Sequence, residues 1–214
     1  MIVAILNTKG GVGKSTLALN IAISRALAGR DVWLIDGDRQ ATSMQAVAQR
    51  AETGASPALS VAHFTDGPLL RAQVQQGAGK YDDIIIDAGG RDSTAMRAAL
   101  MLADVVIIPF LPRSVDIWAM ADMAELVKEA HSMRDTLKVF AVLNSADPRG
   151  SDNGAAAEAV AEFEHITYLD APVGRRKALA DAMGDGLSVL EWKPKDEKAI
   201  DEITRLVNLV FIAN

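Results

Sequence analysis

Short apolar runs alternate along the chain with longer segments of mixed apolar and polar residues. Five of the runs are apolar almost throughout, at residues 2–7, 31–36, 82–88, 104–110 and 137–144. Strands that are covered by helices on both faces have this pattern, so the runs predict a buried sheet. Weaker strand candidates lie at residues 59–64 and 166–172.

The mixed segments have the spacing of helices that bury one face. They predict helices over residues 14–28, 41–53, 93–102, 116–131, 154–163, 176–183 and 196–211. Regular alternation of strands and helices predicts an α/β fold, a doubly wound and mostly parallel sheet with helices on both faces. We expect a single domain over residues 1–214, in which residues 147–154 are the most loop-like segment.

Composition narrows the chemistry that the chain can perform. It has 214 residues, no cysteine and three histidines that are far apart in sequence, so iron-sulfur clusters and thiolate zinc sites are excluded. Any metal should therefore be bound by oxygen. The net charge of -6 argues against general attraction to nucleic acid, although it leaves room for a local basic patch. Without a secretion-signal pattern or a membrane-length apolar run, we expect a soluble, cytoplasmic protein.

The segment "TKGGVGKST", residues 8–16, lies between the first apolar run and the first predicted helix. Glycines there let successive backbone N–H groups point into one concavity, and the helix N-terminus adds positive charge. This is typical of a phosphate-binding loop, in which Lys14 reaches the β- and γ-phosphates and the Ser15 hydroxyl binds Mg²⁺. A plain glycine turn is the alternative. The loop is unusual because Thr8 replaces the usual first glycine and Lys9 precedes the others.

Aspartates lie at or just beyond the ends of two of the apolar runs, where ligands bind in this kind of sheet. Asp36 and Asp38 are two residues apart, so alternation along an extended segment predicts that they point the same way. Asp36 is a candidate for the Mg²⁺ shell, and Asp38 is placed to orient an attacking water; a solvated turn is the alternative. Asp87 closes a strand of isoleucines, which is the position that holds Mg²⁺ through water in phosphate-loop NTPases.

These motifs resemble the ParA/MinD family of deviant Walker-type ATPases, particularly the short ParA-like partition ATPases. The resemblance rests on "KGGVGKST", "DGDRQATS" and "IIIDAGGRDS", and it continues through "PFLPRSVDIWA", "VLNSADPRG" and "APVGRRKALADAMGDGLSVLEW". It implies a Mg²⁺-dependent ATPase with ATP and Mg²⁺ as cofactors, which closes into a homodimer with the nucleotides sandwiched between the subunits.

The resemblance also implies roles for particular residues. Lys9 reaches the partner subunit's ATP and joins Lys14 and Asp38 as a catalytic residue; the alternative for Lys9 is an exposed lysine on a loop. Asp38 positions the hydrolytic water, and Ser15, Asp36 and Asp87 form the Mg²⁺ environment. Asn144 matches an asparagine that pairs with the adenine edge, and Pro172 lies in the segment that flanks the base. The implied nucleotide contacts are Lys9, Gly10, Gly11, Val12, Gly13, Lys14, Ser15, Thr16, Asn144 and Pro172.

One departure from the family pattern follows Asp87, because Gly89 stands where many members have a proline. Gly89 and Gly90 predict either a switch-like loop that senses the γ-phosphate or simply a tight turn. Asp92 or Ser93 can serve as the N-cap of the helix that follows.

The first functional hypothesis is a ParA-type ATPase that segregates plasmid or chromosomal DNA. Its ATP-bound dimer would bind non-specific DNA on the nucleoid, and a ParB-like or other small partner would stimulate hydrolysis. Candidate phosphate contacts are "GRRK" at 174–177, Lys193, Lys195, Lys198 and Arg205, although such side chains are often simply solvated. A close variant positions another cargo, such as a carboxysome, a chemoreceptor cluster or a conjugation complex.

Two other classes fit the sequence less well. A MinD-like membrane ATPase needs a basic amphipathic C-terminal helix, whereas the last helix has an acidic first turn. Its Ile200, Ile203, Val207 and Val210 indicate a helix docked on the core. Amidoligases and dethiobiotin synthetase-like enzymes share the fold but generally do not need a leading lysine such as Lys9, so the loop disfavours them without excluding them.

Overall fold

The computed structural model describes residues 1–90, 93–112, 114–147 and 152–211. The strands are β1 (Ile2–Asn7), β2 (Val32–Asp36), β3 (Ser60–His63), β4 (Asp83–Gly89), β5 (Val105–Phe110), β6 (Lys138–Ala146), β7 (Thr167–Tyr168) and β8 (Val173–Gly174). The helices are α1 (Lys14–Leu27), α2 (Thr42–Glu52), α3 (Gly67–Gly77), α4 (Thr94–Leu102), α5 (Ser114–Met133), α6 (Asp152–Val160), α7 (Lys177–Gly184) and α8 (Glu197–Phe211). Each of the five long apolar runs forms a strand; β1 has the predicted bounds, and the ends of the other four lie within two residues of the prediction.

The strands form one parallel sheet in the order β3-β2-β4-β1-β5-β6-β7, with β8 also paired to β6. The chain first builds outward from β1 to β2 and β3, returns to β4 beside β1, and then crosses to β5 on the other side. This is the predicted doubly wound α/β fold. Because all the pairings are parallel, the carboxyl ends of β1, β2, β4 and β6 meet at one edge of the sheet.

Alternate residues of each strand face opposite layers of helices. Ala4 and Leu6 of β1 pack with residues of α3, α4, α5 and α6, whereas Val3 and Ile5 pack with α1, α2, α7 and α8. We call the second layer the loop layer, because α1 begins directly after the glycine-rich segment. Asp36, Asp87 and Asn144 each lie two residues beyond a strand residue that packs on the loop layer, so strand alternation directs all three toward that side.

Helix α3 was missed by the sequence prediction. It begins after Asp66, whose side chain accepts a hydrogen bond of 2.9 Å from the Leu69 backbone N–H, and it has Pro68 in its first turn. Leu70 and Val74 are its buried apolar side chains. A short helix bounded by glycines at both ends, with only this narrow apolar stripe, reads as a loop in sequence.

The weak strand candidates at 59–64 and 166–172 contain β3 and β7, whereas the two-residue β8 was not predicted. The remaining differences are at segment ends. Helix α6 begins at Asp152, inside the predicted loop at 147–154, and residues 148–151 lie outside the described residues. Helix α8 is docked as expected, with Ile203, Val207 and Val210 buried and Ile200 half-buried. Among the described residues, no helix has the length and apolar character needed to cross a membrane.

Candidate nucleotide-binding site

The glycine-rich segment turns the chain from β1 into α1 at the carboxyl edge of the sheet. Gly11 and Gly13 have φ angles of +75° and +89°, which side-chain-bearing residues rarely adopt. Gly13 also lies against β6, because a Cβ built there would be 2.1 Å from the Asn144 Nδ2. Lys14 is the first residue of α1, so the loop ends at a helix N-terminus as a phosphate site requires.

Asn7, the last residue of β1, anchors the start of this loop. Its Oδ1 accepts a hydrogen bond of 2.8 Å from the Lys9 backbone N–H, and its Nδ2 donates to the Pro109 carbonyl at 2.8 Å. The side chain is almost fully buried. It therefore ties the backbone of Lys9 to the end of β5, a role that sequence reasoning did not assign.

Lys14 is held in a confined position over the end of β4. Only 7% of it is exposed, and its Nζ donates a hydrogen bond of 3.0 Å to the Lys9 carbonyl. Burial lowers the pKa of Lys14, whereas the carboxylates of Asp87 and Asp38 raise it. A Cβ on Gly89 would lie 1.9 Å from the Lys14 Cε, so the glycine at this position makes room for the lysine.

Asp87 presents one satisfied and one unsatisfied carboxylate oxygen in the interior. Its Oδ2 accepts a hydrogen bond of 2.7 Å from the Ser43 hydroxyl, while the buried Oδ1 has no hydrogen-bond partner among the described residues. Burial raises the pKa of Asp87 to about 6, opposed by the hydroxyls of Ser15 and Ser43. The Ser15 hydroxyl is near enough to favour the ionised carboxylate, but only Ser43 meets the geometry of a hydrogen bond.

Asp36 is fully buried at the end of β2, beside Asp87 in the sheet register. Its Oδ1 accepts from the Asp38 backbone N–H and its Oδ2 from the Met44 backbone N–H, both at 3.0 Å. Burial raises the pKa of Asp36, and these backbone N–H groups oppose the rise. Both oxygens therefore already have protein donors, which ties Asp36 to the loop at 37–40 and to the start of α2.

Asp38 lies beyond the strand, so the alternation that predicts a common direction with Asp36 stops before reaching it. It is half-buried, and its Oδ1 accepts a hydrogen bond of 3.0 Å from the Gln40 backbone N–H in a tight turn. The common direction of the two side chains stays a prediction, and the Asp38 charge does act on both Asp36 and Lys14. Asp38 also borders a cleft of about 620 Å³ lined by Gly37, Asp38, Arg39, Gln40, Thr65, Gly89, Gly90, Ser93 and Thr94.

The two predicted base contacts come together on the other side of the loop. Asn144 is buried and donates from Nδ2 to the Val12 carbonyl at 2.7 Å, so it braces the phosphate loop. Pro172 precedes Val173, which pairs with Asn144 across β6 and β8. Only the NH₂ group of the amide can donate to a carbonyl, so this bond fixes the amide orientation. An adenine contact for Asn144 stays a prediction.

The glycines after Asp87 have separate structural roles. Gly90 has a φ of +76°, as a tight turn requires, whereas Gly89 ends β4 and accommodates Lys14. Ser93 is the N-cap of α4, and its Oγ accepts a hydrogen bond of 3.1 Å from the Met96 backbone N–H. The alternative N-cap, Asp92, lies outside the described residues.

The oxygen donors at the loop suit Mg²⁺ better than a softer metal. Within the described ranges, no three His, Asp or Glu side chains group into a metal site of their own. The Ser15 hydroxyl and Asp87 fit a cation that takes its other ligands from water and from nucleotide phosphates, which is how Mg²⁺ is usually bound.

The chain matches known proteins along most of its length. Residues 3–189 match the family model described as the CobQ/CobB/MinD/ParA nucleotide binding domain. Maintenance of carboxysome distribution protein A from Halothiobacillus neapolitanus is 30% identical over 210 residues, covering 97% of this chain and 95% of the relative. Chromosome partitioning protein ParA from Caulobacter vibrioides is 26% identical over 238 residues, covering 91% and 88%.

The fold recurs in a solved structure of septum site-determining protein MinD from Pyrococcus horikoshii, complexed with Mg-ADP. The TM-score is 0.78 with 19% identity, and the match covers 100% of this chain and 97% of the other. At that identity the likeness concerns the fold alone. The chain belongs to the CobQ/CobB/MinD/ParA nucleotide-binding family and is a ParA/MinD-type P-loop ATPase.

Proposed function

We propose that this chain is a Mg²⁺-dependent ATPase of the ParA type that works as an ATP-sandwich dimer to position a cargo on DNA. One observation carries the proposal: Lys14 is buried at the start of α1 beside the Asp87 carboxylate, and Asp38 lines the adjoining cleft. This arrangement joins a phosphate-binding lysine, a candidate cation holder and a candidate water-positioning group at one sheet edge.

Each residue has a separate task in this proposal. Lys14 offsets phosphate charge, since a buried cation interacts strongly with a phosphate oxygen. Mg²⁺ would be held by the Ser15 hydroxyl and, through water, by Asp87, and it would neutralise charge on the phosphates. Asp38 would orient the attacking water from its half-buried position. The Mg-ADP bound to the related MinD structure supports the choice of cofactor.

Lys9 is the residue on which the proposed dimer depends. Its backbone is fixed from two sides, because its N–H donates to Asn7 and its carbonyl accepts from Lys14. A fixed backbone limits where its half-buried side chain can reach. In a closed dimer, two facing nucleotides bring many phosphate charges together, and a lysine from each subunit would offset that repulsion.

The comparisons bear on which cargo is moved. The carboxysome distribution protein is more similar to this chain than the chromosome partitioning protein, at 30% against 26% identity. We therefore place positioning of a carboxysome-type cargo ahead of DNA segregation, reversing the order that the sequence alone favoured. The neighbouring genes offer a direct test: shell-protein genes would support this order, and a small DNA-binding partner gene would reverse it.

The structure refines the predicted DNA contacts. Arg176 donates from Nε to Glu202 at 2.8 Å, and Arg205 and Lys177 pair with Asp170 and Asp181. Three of the predicted basic side chains are thus already paired with carboxylates. Arg175, Lys193, Lys195 and Lys198 are exposed and form no ion pair with any described residue. Lys195 and Lys198 line a shallow groove beside Trp192, which Asp181, Asp196 and Glu197 also line. We propose the three lysines as the DNA contacts.

A charge-reversal experiment tests the DNA surface. Changing Lys193, Lys195 and Lys198 to Glu should abolish ATP-dependent binding to non-specific DNA at moderate salt. If all three contact phosphates, the slope of log affinity against log salt should fall by about three. The control changes Arg71, Lys80 and Lys128 to Glu, three exposed cations elsewhere on the chain that carry the same total charge change. Equal losses in both proteins would contradict a local DNA surface.

A further inference from the structure

The first turn of α2 contacts both buried carboxylates of the site. Ser43 is fully buried and donates its hydroxyl to Asp87 Oδ2 at 2.7 Å. The next residue, Met44, donates its backbone N–H to Asp36 Oδ2 at 3.0 Å. Two adjacent residues of one helix therefore hold the carboxylates of two adjacent strands, β2 and β4.

Like charges make such support necessary. Asp36 and Asp87 are direct partners in the register between β2 and β4, so their side chains leave the sheet on the same side. Neighbouring carboxylates in a buried site repel each other, and each is stabilised as an anion by hydrogen-bond donors. The N-terminus of α2 supplies those donors together with the positive end of the helix dipole.

The hydrogen bond from Ser43 also determines which oxygen of Asp87 remains without a hydrogen-bond partner. With Oδ2 occupied, the buried Oδ1 is the oxygen that has no partner among the described residues. An unsatisfied buried carboxylate oxygen is costly, so its presence points to a ligand that completes it. Lys14 and Ser15 are both close enough to act on the same carboxyl group.

We infer that Ser43 is a positioning residue for Mg²⁺ binding: it holds Asp87 Oδ2 so that Oδ1 is presented to the cation shell at the phosphate loop. The inference rests on the proposed Mg²⁺ dependence and adds a residue to it. Ser43 itself does not contact the nucleotide or the cation in this scheme. Removing its hydroxyl frees the carboxylate to rotate, which weakens the cation site without altering the phosphate loop.

The test measures binding rather than turnover. Affinity for a non-hydrolysable ATP analogue is measured by titration in EDTA and at increasing Mg²⁺, for the wild type, Ser43→Ala and Ser43→Thr. Thr53→Ala is the matched control, because it removes one hydroxyl and one hydrogen bond, to the Arg50 carbonyl, just after the other end of α2. The Mg²⁺ concentration that gives half of the affinity gain is the quantity compared.

Ser43→Ala should leave the affinity in EDTA within about twofold of the wild type and raise the Mg²⁺ midpoint about tenfold, as loss of a group that orients a metal ligand does. Ser43→Thr retains the hydroxyl and should restore the midpoint, and Thr53→Ala should not change it. In an Asp87→Asn background, Ser43→Ala should have no further effect on the midpoint. That arm keeps the test valid even if the larger threonine is not accommodated.

Three results would overturn the inference. An unchanged midpoint in Ser43→Ala would show that the hydroxyl does not act on the cation. A matching loss of affinity in EDTA would show a purely structural role. Additive effects of Ser43→Ala and Asp87→Asn would show that Ser43 acts elsewhere. The wild-type arm is separate: no gain of affinity from Mg²⁺ would refute the proposed Mg²⁺ dependence itself.

Discussion

Asp87 should destabilise the nucleotide-free protein, and removing its charge should reveal by how much. Burial raises the pKa of its carboxyl from 3.8 to about 6. The folded protein therefore binds a proton more tightly at this site than the unfolded chain does, and stability falls as the pH rises from about 4 to 6. The pKa in the folded protein is about two units above that in the unfolded chain, and each unit corresponds to about 1.4 kcal/mol. The ionised carboxylate therefore lowers the free energy of unfolding by about 3 kcal/mol above pH 6.

Asp87→Asn tests this magnitude, because it keeps the shape of the side chain and removes the charge. Equilibrium urea unfolding in EDTA should show the variant about 3 kcal/mol more stable than the wild type at pH 8. By pH 5 the gain should shrink to roughly half, since the wild-type carboxyl is then largely protonated in the folded state.

The control is Asp201→Asn, which removes the same charge from an exposed position on α8. Its stability should stay within about 0.5 kcal/mol of the wild type at every pH. The reasoning would be refuted if Asp87→Asn were no more stable than the wild type at pH 8. A gain that did not change with pH would also refute it, because the effect would then come from packing rather than ionisation.

Other predictions concern the loop and its supports. Gly89→Ala should displace the Lys14 side chain, because its Cε would be 1.9 Å from the new Cβ. In a titration, this variant should bind an ATP analogue about tenfold more weakly than the wild type. Gly154→Ala should bind it normally, because a Cβ at Gly154 would lie in open space. Asn144→Asp removes the donor to the Val12 carbonyl and should weaken nucleotide binding by about tenfold, whereas the exposed Asn208→Asp should bind normally. Arg50→Ala breaks a buried pair with Glu191 and should lower the free energy of unfolding by about 3–5 kcal/mol. Arg205→Ala breaks an exposed pair and should lower it by under about 1 kcal/mol, so equal losses in denaturant would contradict the burial argument.

The sequence was sufficient to predict the five long strands of the sheet, because buried parallel strands are continuous apolar runs that need no tertiary information to recognise. It also located the loop, since Gly11, Gly13 and Lys14 occupy positions fixed by backbone geometry. Helix α3 was missed because only Leu70 and Val74 anchor it, and its glycine-bounded ends suggest turns. The direction of the Asp38 side chain was beyond the same reasoning, because alternation holds only while the chain is extended, and nothing in "DGDRQ" shows that β2 ends at Asp36.

The supporting residues were beyond sequence reasoning for a physical reason. Each of these residues acts on a partner that is far away in the sequence. Asn7 contacts Pro109, 102 positions away, and Ser43 contacts Asp87, 44 positions away. Gly89 leaves space for Lys14, 75 positions away, and only the folded chain defines that space. Ser43 lies within "DGDRQATS", but neither helical spacing nor charge distinguishes its hydroxyl from that of Thr42 beside it. Asn144 was identified from the resemblance, whereas its brace on Val12 is visible only in the structure.

The central claim is that each nucleotide site is completed by Lys9 of the other subunit, and a mixing experiment tests it most directly. Lys9→Ala and Asp38→Ala should each hydrolyse ATP poorly alone. In a mixed dimer, the Lys9→Ala subunit keeps its own Asp38 and receives Lys9 from its partner, so one of the two sites is complete.

Random pairing of equal amounts makes half of the dimers mixed, and each has one intact site of two, so the mixture should recover about a quarter of wild-type ATPase activity. If Lys9 acted within its own subunit, both sites of every mixed dimer would be defective. Activity no higher than that of the separate variants would therefore contradict the account.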